Sequence, residues 1–170
     1  MKVRLATLED QEQVETLNQL DPAVKDFKYL WRLFKNWKPN SMPIVAEKDE
    51  KLVGFHAASF GKKYVNSFYQ FTHKKIRGQR VGGEMVAFLL TEAKRLEIPR
   101  LKFKVPFESD GRIFWEGFGV VPFALIPWPE ELLFDICLSS VWEPSDLKGK
   151  GKYVPTRTLE QFKLKGAVIL

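Results

Sequence analysis

The spacing of apolar and polar residues at the start of the chain predicts a strand followed by a helix. Residues 2–6 alternate between the two classes, as a half-buried strand requires. Thr7 and Asp10 have the spacing of a capping box with a shorter acid, which predicts a helix to about Leu20. We expect this helix to bury four apolar positions: Leu8, Val14, Leu17 and Leu20.

Helical and strand-like patterns alternate through the rest of the chain. Residues 21–37 place apolar residues three or four apart beside a stripe of lysines and arginines, which predicts a basic amphipathic helix. Two further helices are predicted, one that follows Gly83 and runs to about Leu96, and one over residues 110–118. Strand-like segments lie at residues 43–47, 52–60, 64–73, 100–105, 123–126 and 132–138. The order β-α-α-β-β-β-α-β-α-β-β predicts a mixed sheet with helices on its faces.

Composition places the chain among globular proteins with one main domain. It has 170 residues, of which 45% are hydrophobic and 28% are charged, so neither a collagen-like nor a wholly disordered chain is expected. The single cysteine, Cys137, excludes an intramolecular disulfide and a multi-cysteine zinc site, and we expect no metal. We also expect no membrane span and no signal peptide, because long apolar stretches are absent. These features together favour a cytoplasmic location.

Basic residues are concentrated at the C-terminal end. Residues 144–170 contain six lysines and arginines and two acids, so they carry +4 of the chain's net charge of +6. We therefore divide the chain into a domain at residues 1–143 and a basic C-terminal tail at residues 144–170. The favoured explanation of the tail is a flexible solubilising end, and a polyanion or nucleic-acid partner is the alternative.

The segment from Arg77 to Gly83 carries the clearest chemical signal. Glycines at a helix start allow a ligand to approach the backbone closely, and the free N–H groups there favour phosphate. Four basic residues lie in or beside it: Lys74, Lys75, Arg77 and Arg80. The segment is neither a Walker A loop nor a G-x-G-x-x-G motif. The residues alone are compatible with a pyrophosphate cradle or with a basic, solvated loop before a core helix.

Three regions in order resemble the GCN5-related N-acetyltransferases (GNAT). Arg77-Gly78-Gln79-Arg80-Val81-Gly82 is similar to the acyl-CoA motif Arg/Gln-x-x-Gly-x-Gly/Ala of that family. The opening residues 3–10 resemble its first strand and helix start. Residues 112–120 resemble its late helix, which has the pattern Phe-Tyr-x-x-x-Gly-Phe. The resemblance covers residues 2–138 and implies a mixed, mostly antiparallel central sheet of about seven strands with helices on both faces.

The resemblance implies an N-acyltransferase that uses acetyl-CoA and an amine-bearing acceptor. Backbone groups of Phe71, Thr72 and His73 would hold the pantetheine and polarise the acyl carbonyl. Backbone N–H groups of the cradle would bind the pyrophosphate, which assigns it the residues Arg77, Gly78, Gln79, Arg80, Val81, Gly82 and Gly83. A degenerate acyl-CoA-binding regulatory domain and a nucleic-acid-associated, base-modifying member of the fold remain alternatives, and a homodimer is left open.

Three positions depart from the family pattern, and one of them is Glu108, which falls near a position where members often have asparagine. Arg80 stands where the family usually has its first motif glycine, so it either contacts a phosphate or obstructs the cradle. Trp115 stands where many members have a tyrosine that protonates the leaving thiolate, and an indole N–H is not a usable acid near pH 7. The role of that tyrosine is therefore unfilled in this chain.

Three residues are candidates for acid–base work or substrate contact: Tyr69, His73 and Glu108. His73 ends the strand beside the expected acyl group, and imidazole is a common general acid or base in catalysis. Tyr69 lies four residues earlier in the same strand, and Glu108 lies near the split in the sheet. Each also has a structural explanation, as a surface histidine, a packed aromatic residue and a loop carboxylate. His56 is a weaker candidate, because a core histidine is expected within its apolar run.

Overall fold

The computed structural model of the protein describes residues 1–20, 40–117, 122, 124–127, 130–138 and 168–169. The basic helix predicted over residues 21–37 lies outside the described residues, as do the tail residues 144–167. None of the described helices is long and apolar enough to cross a membrane.

The described segments form eight strands, three α-helices and two short 3₁₀ turns at Leu8–Asp10 and Lys74–Ile76. The strands are β1 (Lys2–Leu5), β2 (Ser41–Lys48), β3 (Lys51–Phe60), β4 (Val65–Thr72), β5 (Arg100–Pro106), β6 (Ala124–Pro127), β7 (Glu130–Cys137) and β8 (Val168–Ile169). The helices are α1 (Gln11–Gln19), α2 (Val81–Arg95) and α3 (Asp110–Gly117).

All eight described strands belong to one mixed sheet with the order β1-β2-β3-β4-β5-β7-β6-β8. Neighbours pair antiparallel, except for β4 with β5 and β6 with β8, which are parallel. Seven strands come from residues 1–143, which confirms the predicted mixed, mostly antiparallel sheet. The eighth, β8, is a two-residue strand at the C-terminus that the sequence pattern did not indicate.

Helices cover both faces of the sheet, as predicted. On one face α2 packs into the main core, where Met85 and Leu89 meet sheet residues such as Ile44 and Val65. On the other face α1 packs into a smaller cluster that includes Leu17 and Phe55. Both clusters consist of buried apolar side chains, so burial of apolar area is what holds the layers together.

The first helix buries fewer of its predicted positions than expected. Val14 and Leu17 are buried, but Leu8 is 62% exposed and Leu20 is 48% exposed, so those two predictions were wrong. Leu8 lies in the 3₁₀ turn that precedes α1, and Leu20 follows its last residue. Neither residue therefore has the helical geometry that would bring it onto the face of Val14 and Leu17.

Strands β4 and β5 pair for a short distance and then separate. Their ladder joins three pairs of described residues, the last being Ser67 with Phe103. A register shift between β3 and β4 leaves Phe68 as an extra residue, which is a β-bulge. From this point to Thr72 and Pro106 the two strands form an open gap in the sheet, which we call the splay.

Candidate functional site

A cavity of about 700 Å³ opens beside the splay. Its walls come from the end of β4, the segment that leads into α2, and α3. The lining residues are Gln70, Thr72, Arg77, Gly78, Arg80, Val81, Gly82, Gly83, Asp110, Gly111, Ile113, Phe114 and Trp115. Seven of the ten residues predicted to bind the cofactor are among them. The structure thus brings the predicted cradle and the predicted late helix to the same cavity.

The backbone of the cradle turns sharply before α2. Gly78 has φ of 84° and Arg80 has φ of 65°, so both adopt the left-handed conformation that glycine accepts most readily. The carbonyl of Arg80 accepts the first α2 hydrogen bond, from the N–H of Glu84 at 3.0 Å. The preceding N–H groups at the helix start have no partner within the helix, so they can bind an anion. The left-handed φ also explains why a glycine suits position 80.

Gly82 marks the closest approach between the cradle and the rest of the site. A Cβ atom at this position would lie 2.6 Å from Nε2 of Gln70 and 3.0 Å from Cε2 of Phe114. Any side chain here would therefore displace residues of β4 or α3. Glycine at this position therefore lets Gln70 and Phe114 pack directly against the start of α2.

Arg77 links the two sides of the cavity. Its Nη1 donates to Oδ2 of Asp110 at 2.6 Å, and its Nε donates to the carbonyl of Thr72 at 3.2 Å. Asp110 is the first residue of α3, where a negative charge is favourable. Arg77 therefore fixes the end of β4 against the start of α3 and adds a cation to the cavity wall.

The backbone of β4 presents alternate N–H groups to the splay. The N–H of His73 donates to the carbonyl of Val53 at 2.9 Å, towards β3. Since successive N–H groups of a strand point to opposite sides, those of Thr72 and Gln70 point away from β3 and into the splay. The N–H of Phe71 points towards β3, and its side chain is buried in the cluster around α1. Within the predicted pantetheine segment, Thr72 is thus the residue whose N–H faces the splay.

Gln79 differs from its neighbours in the cradle. Its Oε1 accepts a hydrogen bond from Nζ of Lys48 at 3.3 Å on the exposed side of the loop. The cavity-lining residues do not include it, nor do they include Phe71 or His73.

The three acid–base candidates do not come together. Tyr69 belongs to the cluster around α1, with its ring 6.4 Å from that of Phe55. Nδ1 of His73 accepts the N–H of Lys75 at 3.2 Å, so in the neutral ring its basic lone pair is already engaged. Glu108 is exposed between β5 and α3. None of the three lines the cavity, and their roles stay predictions.

Trp115 is buried at the cavity wall. Its ring stacks on Phe103 with centroids 4.1 Å apart, and Phe103 stacks in turn on Phe134 at 4.7 Å. We call these three residues the aromatic stack. Phe114 meets Trp115 edge-on at 5.3 Å. Trp115 therefore brings an indole to the cavity, which offers a hydrogen-bond donor but no titratable proton.

Gln70 is a cavity residue that the sequence reasoning missed. Because the bulge at Phe68 shifts the alternation of β4, Tyr69 faces α1 and Gln70 faces α2. Its buried Oε1 has no hydrogen-bond partner among the described residues. A strand pattern read from sequence contains no signal for a bulge of this kind, so the face of Gln70 could not be assigned.

His56 is fully buried beside this region. Its Nε2 lies 2.8 Å from Oγ of Ser67, and burial lowers the pKa of His56 from 6.5 to about 4. The ring is therefore neutral near pH 7. Among the described residues, no group of three or more histidine, cysteine or acidic side chains could hold a metal ion.

Solved structures with the same architecture include acetyltransferases. The ribosomal-protein-S18-alanine N-acetyltransferase of Escherichia coli superposes with a TM-score of 0.68 at 12% identity, over 84% of this chain and 96% of that one. The PaiA N-acetyltransferase of Thermoplasma acidophilum, in complex with coenzyme A, gives 0.66 at 11% identity, over 80% and 98%. Ard1 of Thermoplasma volcanium gives 0.66 at 14%, over 80% and 96%. At these identities the likeness shows the fold alone.

The sequence itself supplies the family assignment. No curated protein sequence matches the chain. Residues 10–113, which include α1, the cradle and the start of α3, match the model of the Acetyltransferase (GNAT) family. Because this match covers more than half of the 170 residues, the chain belongs to the GNAT acetyltransferase family.

Proposed function

We propose that the protein is an acyl-CoA-dependent N-acyltransferase that transfers acetyl from acetyl-CoA to a primary amine. The observation that carries the proposal is the cavity itself, where the N–H groups at the start of α2 and the cations Arg77 and Arg80 lie beside the end of β4. The unpartnered Oε1 of Gln70 in the same cavity adds a buried acceptor for a ligand N–H group. Both features fit a long, polar ligand with an anionic end.

Each part of the cavity has a binding role under this proposal. The N–H groups at the start of α2, together with Arg77 and Arg80, would hold the diphosphate of coenzyme A. The splay-facing N–H groups of Gln70 and Thr72 would contact the pantetheine arm and polarise the acyl carbonyl. When bound, acetyl-CoA supplies the acetyl group as a thioester, which the amine attacks directly in a ternary complex.

The protein contributes position more than acid–base chemistry. The amine must lose a proton and the thiol must regain one, and a well-placed acid or base accelerates such steps by about 10²–10⁴-fold. Trp115 cannot supply that proton, and His73 has its basic nitrogen engaged. Orientation of the reactants alone can supply a larger factor. We therefore expect turnover that is slow at neutral pH and rises as the acceptor amine deprotonates.

Thiol release from acetyl-CoA in the presence of an amine panel tests the proposal. The panel should contain a peptide N-terminus, lysine, a polyamine, an aminoglycoside and an exocyclic base amine, with mass spectrometry of the acetylated product. Amine-dependent release and a product heavier by one acetyl group support transfer. Binding of acetyl-CoA without release on any amine contradicts it and favours the CoA-binding regulatory domain, for which Trp115 is the specific observation.

The remaining expectations depend on parts of the chain outside the described residues. A nucleic-acid role would involve residues 144–167, and residues 21–37, over which the sequence pattern predicts a helix, would help to shape the acceptor site. We propose a cytoplasmic location, because a chain with a single cysteine and no intramolecular disulfide fits a reducing compartment. Retention on a polyanion column, compared between the full chain and a chain cut after residue 143, tests the nucleic-acid role through its salt dependence.

A further inference from the structure

We propose that Trp115, held by the aromatic stack, closes the deep end of the splay and limits the acyl group to short chains. The inference rests on the proposed function, since it concerns the selectivity of the same site. It goes beyond that function because it names the residue that sets acyl length. Neither the family match nor the solved relatives assign this role to the residue.

The position of the stack follows from the strand register. Ser67 and Phe103 form the last rung of the β4–β5 ladder, so Phe103 marks the point where the splay closes. From Ser67 to Thr72 the strand advances by four residues of β3, from Ala58 to Gly54, because Phe68 is bulged out, and four residues span about 13 Å at the usual rise. The cradle lies beyond the Thr72 end. A ligand held by the cradle and running along β4 therefore brings its far end to Phe103 and to the Trp115 ring that covers it.

The stack leaves Trp115 little freedom to move aside. Its ring is 5% exposed and lies at 27° to Phe103, whose other neighbour in the stack is the fully buried Phe134 at 10°. Phe114 also packs against Trp115 in a T-shaped arrangement, with the ring centroids 5.3 Å apart. Room for a longer acyl chain would require displacing rings that are packed on two sides, and close-packed interiors resist such insertion.

Affinity for a series of acyl-CoA molecules measures this limit without an acceptor. In an open apolar site each added methylene raises affinity about four-fold. At a closed end the trend reverses, and we expect wild-type protein to bind butyryl-CoA at least about ten-fold more weakly than acetyl-CoA. Isothermal titration calorimetry with acetyl-, butyryl- and hexanoyl-CoA, and with free CoA, gives these ratios directly.

Two substitutions separate the role of Trp115 from general loss of packing. Trp115→Leu removes the indole and should let butyryl-CoA bind at least as tightly as acetyl-CoA. Phe134→Leu disturbs the same stack at its far end, which does not line the cavity. This variant should still bind acetyl-CoA more tightly than butyryl-CoA, as wild type does. Trp115→Phe retains a ring over Phe103, so its ratio of butyryl-CoA affinity to acetyl-CoA affinity should lie between those of wild type and Trp115→Leu. Urea unfolding of each variant confirms that the proteins compared are folded.

The outcomes distinguish this inference from the proposed function. If wild-type protein binds free CoA but binds acetyl- and butyryl-CoA equally, the limit does not exist and only the inference fails. The inference also fails if Trp115→Leu folds and keeps the wild-type preference, or if Phe134→Leu changes the preference as much. If wild-type protein binds neither CoA nor any acyl-CoA, the proposed function fails and the inference with it.

Discussion

His56 should make the stability of the protein depend on pH between about 4 and 6.5. The side chain is fully buried, its Nε2 meets Ser67, and its Nδ1 has no hydrogen-bond partner among the described residues. Burial lowers the pKa of His56 from 6.5 to about 4, because the charged imidazolium would lose its hydration.

The sign and size of the effect follow from proton linkage. As pH falls below 6.5, His56 becomes protonated in the unfolded chain but stays neutral in the folded chain. The free energy of unfolding therefore decreases through this window and levels off once the folded ring also protonates, near pH 4. The pKa difference corresponds to a loss of about 3 kcal/mol. That is a large part of the stability of an ordinary domain, about 5–15 kcal/mol.

Urea unfolding at several pH values from about 7.5 to about 4.5 measures this loss. His56→Gln removes the titrating group while keeping a polar side chain beside Ser67, so its stability, although lower at neutral pH, should vary much less across the window. The chain has one other histidine, and His73→Gln is the matched control that should keep the wild-type loss. An equal loss in His56→Gln and wild type would refute the reasoning.

Three further substitutions test other parts of the structure. Arg80→Gly should change the free energy of unfolding by less than about 1 kcal/mol, because relief of the left-handed strain and the greater chain entropy of glycine offset each other; a larger loss in urea unfolding contradicts this. Asp10→Asn should cost about 2 kcal/mol, since Asp10 accepts hydrogen bonds from Arg4 at 2.7 and 2.8 Å. Arg4 also holds the pKa of Asp10 below its usual 3.8, so wild-type stability should fall as pH drops below that value while the variant stays flat there; parallel curves would argue against the pair. Gly54→Leu should lower stability by about 1–3 kcal/mol, because its Cβ would lie 3.0 Å from Cε of Met85 beneath α2, and an unchanged Tm would show that α2 is not seated there.

The sequence predicted most elements of the fold because their periodicities are strong. The sequence pattern predicts β3 and α2 with nearly their observed bounds. An alternating run indicates a strand and apolar residues three or four apart indicate a helix, so the two patterns are easily distinguished. The cradle was also found, because glycines between a strand and a helix have a physical meaning at that place.

The parts that escaped prediction depend on contacts between distant segments. Phe68 forms a bulge only because β3 and β4 pair with a shifted register, and that shift decides that Gln70 rather than Tyr69 reaches the cavity. The strand β8 is two residues long and exists through its pairing with β6. Neither feature leaves a periodic pattern in the sequence, so local reasoning had no means of finding them.

The central claim is that the cavity between β4, α2 and α3 binds acyl-CoA over Gly82. Isothermal titration calorimetry of wild type and Gly82→Trp with acetyl-CoA tests it most directly. Leu96→Trp is the matched control, because it places the same side chain at the exposed C-terminal end of α2. The account predicts micromolar binding by wild type and by Leu96→Trp, and none by folded Gly82→Trp. Equal binding by all three proteins, or no binding by wild type, would contradict it.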